Sequence, residues 1–292
     1  MKPLMLIQPN SKKIKGFTLI EMVMVMVLLG VMAVGIGSFI SLATQTYVNV
    51  SARDELIASA RFAIERMNRE IRNAVPNSIR IADSANIQCI EFVPILASTT
   101  YIDIPVAPEP NLNEISVIPF VGEDGNDYSC GPTCLDLVTV YPLTTTDIYN
   151  QSFIGIGKSF RVNSFTPTAG VNEWTIPLAP PLVGSGILFD ADSPTKRAYF
   201  FRDPVSYCVN NQHELIRYSG HGYNSTPLTI PTGASSLMAE NLMSPAPPTS
   251  KIPFSITNAT LTRNAIVQIS LGFERDGEII VFDHEIHVAN VP

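Results

Sequence analysis

With 292 residues, 46% of them hydrophobic, the chain is long enough to bury a real core in one or two domains. Its net charge of −7 argues against nucleic-acid binding, DNA uptake included, because that work depends on Lys and Arg neutralising phosphates. Four of its 19 basic residues, Lys2, Lys12, Lys13 and Lys15, precede residue 17, so the rest of the chain is more acidic still.

The first element is that basic leader, which stops at Gly16 and is followed by Phe17-Thr18-Leu19-Ile20-Glu21. Residues 22–37 then carry no polar side chain. An ionisable group deep in a membrane helix costs about 2.5–3.5 kcal/mol, so Glu21 calls for a partner. Cleavage between Gly16 and Phe17 would create one. The new α-ammonium would sit on the positive end of its own helix, where a nearby carboxylate relieves it. The lysines lie before the apolar run and the first charges after it are Arg53, Asp54 and Glu55, so the positive-inside rule keeps the leader cytoplasmic and sends everything beyond about residue 43 outward. Two rivals stand beside this reading. One is an ordinary anchor with a stray Glu. The other is a conventional secretory signal cut after Ser41-Leu42-Ala43, which leaves Glu21 unexplained and has too long an apolar region.

Gly16-Phe17-Thr18-Leu19-Ile20-Glu21 resembles the class III signal of type IV prepilins and type II secretion pseudopilins over its whole length. The resemblance implies that a prepilin peptidase cuts after Gly16 and methylates the new N-terminus at Phe17. It also implies that Glu21 pairs with the N-terminus of a neighbouring subunit as a filament grows.

No proline occurs from 17 to 75, which permits a single helix about 88 Å long at about 1.5 Å per residue. Residues 17–43 suit a membrane and 44–75 are amphipathic. Leu56, Ala60, Ala63, Ile64, Met67, Ile71 and Ala74 form one stripe, read as core packing rather than a partner-helix site. Opposite lie the i,i+4 pairs Arg61–Glu65, Glu65–Arg69 and Arg66–Glu70. Gly30, Gly35 and Gly37 each cost about 1 kcal/mol relative to Ala, marking either a place where the helix loosens in the filament or close packing between neighbouring helices. Pro76 ends the helix.

From 76 to 292 short Val-, Ile-, Tyr- and Phe-rich runs alternate with Gly, Pro, Asn and Asp clusters. Strands are expected near 88–93, 135–141, 159–165, 173–178, 196–202, 206–209, 214–219, 265–273 and 278–289, mostly antiparallel. Residues 209–213 read as a hairpin loop and 274–277 as a tight turn centred on Asp276-Gly277. The amphipathic half-helix needs an apolar surface, and a twisted antiparallel sheet supplies it. The expected class is α+β, a type IV pilin fold with a long N-terminal helix packed on an antiparallel sheet head. The leader is 1–16, the helix 17–75 and the head 76–292.

Within the head, Val205-Ser206-Tyr207-Cys208, Leu215-Ile216-Arg217-Tyr218 and the ending Val288-Ala289-Asn290-Val291-Pro292, with Ser51-Ala52-Arg53-Asp54-Glu55-Leu56-Ile57 in the helix, resemble the large minor pilins and J-type pseudopilins. The same stretches resemble the O-type minor pilins of the mannose-sensitive haemagglutinin (MSHA) pilus. Major pilins are shorter and commonly close a C-terminal loop with two cysteines, whereas the last cysteine here is Cys208.

Four cysteines fit an oxidising compartment and allow three pairings. Cys130 with Cys134 is expected, leaving Cys89 with Cys208. Their spacing is poor for zinc, and no metal is expected. Gly157-Lys158-Ser159 resembles the end of a phosphate loop but runs into a strand. His284 and His287, three apart in a strand, point to opposite faces. Glu123-Asp124-Gly125-Asn126-Asp127 has carboxylates suited to calcium but lacks the full loop spacing, and reads as a solvated turn. No nucleophile elbow or triad is readable. Between Arg80 and Lys158 there is no base or histidine but ten acids: Asp83, Glu91, Asp103, Glu109, Glu114, Glu123, Asp124, Asp127, Asp136 and Asp147. They form either a solvated surface or a docking face for a basic partner.

The expected protein is not an enzyme and has no cofactor. It is a minor pilin that starts or caps a filament, with the prepilin peptidase, other minor and major pilins and an inner-membrane platform as partners. The expected location is a single inner-membrane pass with a periplasmic head, then the pilus tip. A type II secretion pseudopilin is the near alternative. A tip adhesin is the other, though Trp174 is the lone tryptophan and no aromatic cluster for sugar stacking is evident.

Overall fold

The computed structural model describes residues 16–84, 86–150, 156–179, 186–243, 252–257 and 264–288, and the chain separates into two compact units, Met1–Asp54 and Glu55–Pro292. Helix α1 (Leu19–Arg72) belongs to both. In the first unit every described residue up to 51 is exposed, and this part of α1 is long and apolar enough to cross a membrane.

The helix stops at Arg72 rather than at the proline. Asn73 and Ala74 donate to Glu70 and Ile71, three residues back, which tightens the last turn. Val75 N–H then bonds Val93 O (2.8 Å) and Ile95 N–H bonds Asn73 O (2.9 Å), so residues 73–75 already run beside the strand region. Pro76 disfavours helical geometry at Val75, and backbone partners across the gap satisfy what the helix no longer can.

Sixteen strands are described in the second unit. They are β1 (Arg80–Ser84), β2 (Ile87–Phe92), β3 (Ile95–Asp103), β4 (Glu114–Val117), β5 (Leu137–Val140), β6 (Ile156–Gly157), β7 (Ser159–Val162) and β8 (Trp174–Ala179). After these come β9 (Leu188–Phe189), β10 (Arg197–Phe201), β11 (Val205–Val209), β12 (Leu215–Ser219), β13 (Ala234–Ala239), β14 (Phe254–Thr257), β15 (Ala265–Arg275) and β16 (Glu278–Val288). A short helix α2 (Thr146–Tyr149) lies between β5 and β6.

Two antiparallel sheets, β1-β2-β11-β12-β13 and β14-β15-β16, share one core with the helix. The stripe Ala60, Ala63, Ile64, Met67, Ile71 and Ala74 meets Ile90, Phe92, Val205, Tyr207 and Leu215 from the first sheet and Val267, Ile269, Leu271 and Phe273 from the second. Residues 241–243 stitch the sheets together, with Leu242 N–H on His213 O (2.9 Å) and Met243 N–H on Gly272 O (2.8 Å). Asp276 (φ 53°) and Gly277 (φ 82°) turn β15 into β16 with both φ positive, the requirement that makes Asp-Gly a hairpin signal. Residues 220–233, between the register partners Ser219 and Ala234, fold back over the other face of the first sheet. There Asn224 O and Ser225 O accept bonds from buried Arg80, which also pairs with Glu91 at 2.8 Å.

The largest departure from expectation is a second body. β10-β3-β4-β8-β7-β5 close into an antiparallel barrel with its own core, where one sheet was anticipated. Phe120, Tyr128, Phe165, Trp174 and Phe200 stack inside it, with centroids 4.8–6.4 Å apart. Trp174 is buried and donates its Nε1–H to Thr168 O, so the aromatic cluster lies within the barrel.

One carboxylate fastens helix to sheet. Glu70 accepts from Arg66 Nε on its own helix, from Tyr207 OH on β11 and from Arg217 Nε on β12, each at 3.0 Å. Arg66–Glu70 is therefore more than a surface i,i+4 pair, and burial together with the Glu70 charge pushes the Tyr207 hydroxyl well above the usual tyrosine range. Replacing Glu70 with Ala leaves Tyr207 buried without its acceptor and is expected to cost about 2–3 kcal/mol, with Glu70→Gln intermediate. Denaturant unfolding of the detergent-solubilised protein measures this.

Candidate functional site

The chain enters α1 through Gly16, Phe17 and Thr18, none of them helical. Thr18 Oγ1 accepts the Glu21 N–H at 3.4 Å and Thr18 O accepts the Met22 N–H at 3.3 Å, so Thr18 caps the helix and Glu21 stands at its third position. The Thr-x-x-Glu spacing is that of a capping box, of which the Thr18 half is formed, a signal legible in the sequence beside the question of what Glu21 pairs with. The exposed Glu21 lies in the first turn, where the helix dipole favours a negative charge. Among the described residues its carboxylate has no cationic partner.

Around it the surface is apolar: Phe17 is 80% exposed, Leu19 83% and Ile20 70%. A Cβ added at Gly16, Gly30, Gly35 or Gly37 would meet nothing within 4 Å, so no contact among the described residues demands glycine at any of the four. α1 is continuous through the last three. Residues 1–15 of the leader lie outside the described residues, as do 289–292.

Cys89 and Cys208 are bonded to each other across register partners of β2 and β11, with Cα atoms 4.0 Å apart; Cys130 is bonded to Cys134. Cys130, Cys134 and Asp136 bring their ligand atoms within 4.8 Å of one another. That donor set is already engaged, because Asp136 accepts from Arg202 Nε (2.6 Å) and from Tyr128 OH (3.1 Å). Burial and the Asp136 charge raise the Tyr128 hydroxyl far above its ordinary value.

The remaining candidates separate. On β16 His284 faces inward and His287 outward, on opposite sides of the sheet. Lys158 lies between β6 and β7 and pairs with Asp147 (3.4 Å) and Asp190 (3.9 Å) in strand rather than loop-to-helix geometry. Residues 123–127 form an exposed turn in which Asp124 accepts from Asn126 Nδ2 and N–H, hydrogen bonds that hold its carboxyl below the usual aspartate pKa. Of the ten acids between Arg80 and Lys158, three turn inward onto bases outside that stretch or at its ends: Glu91 on Arg80, Asp136 on Arg202 and Asp147 on Lys158. The other seven are exposed. Ser206 Oγ lies 3.0 Å from His221 Nε2, but Ser206 is fully buried and Nδ1 faces the Gly222 carbonyl rather than a carboxylate.

Residues 11–37 match the prokaryotic N-terminal methylation motif. No curated protein and no solved structure matches the chain. The motif supports a type IV pilin-like or pseudopilin-like chain, one that implies processing by a prepilin peptidase and association with a membrane and with pilin partners.

The cap at Thr18 is testable apart from any filament. Losing it costs about 1 kcal/mol, so Thr18→Ala is expected to raise amide exchange at Glu21 about fivefold, while Thr18→Ser keeps the wild-type rate. Hydrogen exchange of the protein in lipid nanodiscs reads the difference.

Proposed function

We propose that the chain is a minor pilin of an MSHA-type type IV pilus, which starts or caps filament assembly once its leader has been removed at Gly16–Phe17 and Phe17 methylated. The observation that carries this reading is Glu21. It is a carboxylate in the first helical turn, exposed among apolar side chains, without a cation among the described residues and four positions from the proposed new N-terminus.

In lipid such a group needs a counter-charge, and the α-ammonium of a neighbouring subunit supplies one: its own helix dipole disfavours that ammonium, and the Glu21 carboxylate relieves it. Gly16 supports the same reading, since nothing among the described residues requires a glycine there and a peptidase cleft would. The four leader lysines favour a cytoplasmic N-terminus and a periplasmic head. A head of this size suits a starting or tip subunit better than bulk filament. Partners in this scheme are the peptidase, other minor and major pilins and an inner-membrane assembly platform. The chain itself carries out no catalysis and needs no cofactor. The same signal serves J-type pseudopilins, and the deletion phenotype separates the two: lost pili for the pilin, lost secretion for the pseudopilin.

The experiment is substitution of Glu21. Glu21→Ala is expected to leave leader removal at the wild-type level, read as the mobility shift on gels. Incorporation into sheared filaments should fall about tenfold or more, the order expected when a pair in a membrane loses a charge. Normal incorporation of the variant would contradict the pairing mechanism.

A further inference from the structure

The barrel is threaded into the helix-bearing sheet at a single point. β2 ends at Phe92 and β11 begins at Val205, and these two residues are register partners on adjacent strands. The chain therefore leaves the sheet after Phe92 and returns beside its own point of departure, with residues 93–204 in between. Cys89 and Cys208, also register partners, are bonded to each other a turn of strand below this neck.

All strand pairing of β3 through β10 is internal: β10 with β3 and β5, β3 with β4, β4 with β8, β8 with β7, β7 with β5, and β6 with β9. Among the described residues, the core that holds α1 contains none from 93–204, and the barrel core contains none from outside it. What joins the two bodies is a seam at the neck, where Val75 and Tyr223 pack with Val93, Tyr149 and Phe201 and the Tyr223 hydroxyl donates to Arg202 O. Arg80 lies 3.4 Å above the Tyr149 ring there, and Asn77 Nδ2 reaches Pro142 O.

We propose that residues 93–204 are an inserted module that filament assembly does not use, so that the barrel is a separate functional appendage displayed by a subunit that is complete without it. The assembly clause rests on the pilin reading above; the module clause does not. A sheet closed at its neck by adjacent strands and a disulfide keeps its register when the insert changes, because β2 and β11 would simply become a hairpin.

Two arms test this. In the first, residues 94–203 are replaced by Asn-Gly, joining Val93 to Pro204 through a two-residue turn. The shortened chain is expected to keep protected amides in β11 and β15, to lose its leader and to enter filaments within about twofold of the full chain. A shortened chain without that protection, or one folded and processed but excluded from filaments, overturns the proposal. In the second arm, native-state hydrogen exchange is measured on the full chain. Ile176→Ala in the barrel core is expected to accelerate exchange about tenfold or more across β3, β4 and β8 and to leave β11 and β15 unchanged, with Ile269→Ala doing the reverse. Equal acceleration in both bodies overturns the module. Absence of the unaltered chain from filaments contradicts the assembly reading instead, and the exchange result then upholds or overturns the insertion by itself.

Discussion

The structure depends on where the helix becomes two-faced. Up to residue 51 α1 offers apolar side chains in every direction and is exposed throughout, whereas from Leu56 a single stripe is buried. An all-round apolar surface has to be covered by something that surrounds it, lipid or other helices, while a stripe needs only one surface. The β-domain provides that surface for residues 60–74 with two sheets stitched at 241–243, and Glu70 locks the arrangement by joining α1 to β11 and β12. The same division separates the parts of the chain by task, with a motif-bearing segment at one end of the helix and a folded domain at the other.

That division also explains what can be read from residues alone. The stripe Leu56 to Ala74 was legible because each of its members follows a three- or four-residue step with no competing signal. Strands such as β11 and β15 alternate apolar and polar residues or run as continuous β-branched segments, and the Asp276-Gly277 turn announces itself. β3 and β13 were missed for a physical reason. Ala97, Ser98, Thr99 and Thr100 in β3, and Ala234-Ser235-Ser236 in β13, are small and weakly polar, so their place in a sheet is fixed by neighbours rather than by their own hydrophobicity.

Barrel closure is a non-local fact of the same kind. Nothing in residues 93–204 states that β10 pairs with both β3 and β5, and the aromatic cluster around Phe200 comes from five separate stretches of chain. The acid-rich region illustrates the limit in charge: its carboxylates look alike in sequence, yet Glu91, Asp136 and Asp147 are internal counter-ions while seven others face water. At the N-terminus the spacing of Thr18 and Glu21 was plainly visible. One carboxylate there has two roles open to it, the third position of a capping-box spacing and a pairing with a cation beyond its own chain.

The central claim is that Glu21 awaits an amine which exists only after the leader is gone. Intact-mass and N-terminal fragment analysis of the protein recovered from its native filament fraction tests this most directly. The account predicts a chain that begins at N-methylated Phe17. A filament-associated chain that retains residues 1–16, or that begins at Thr44, would contradict it.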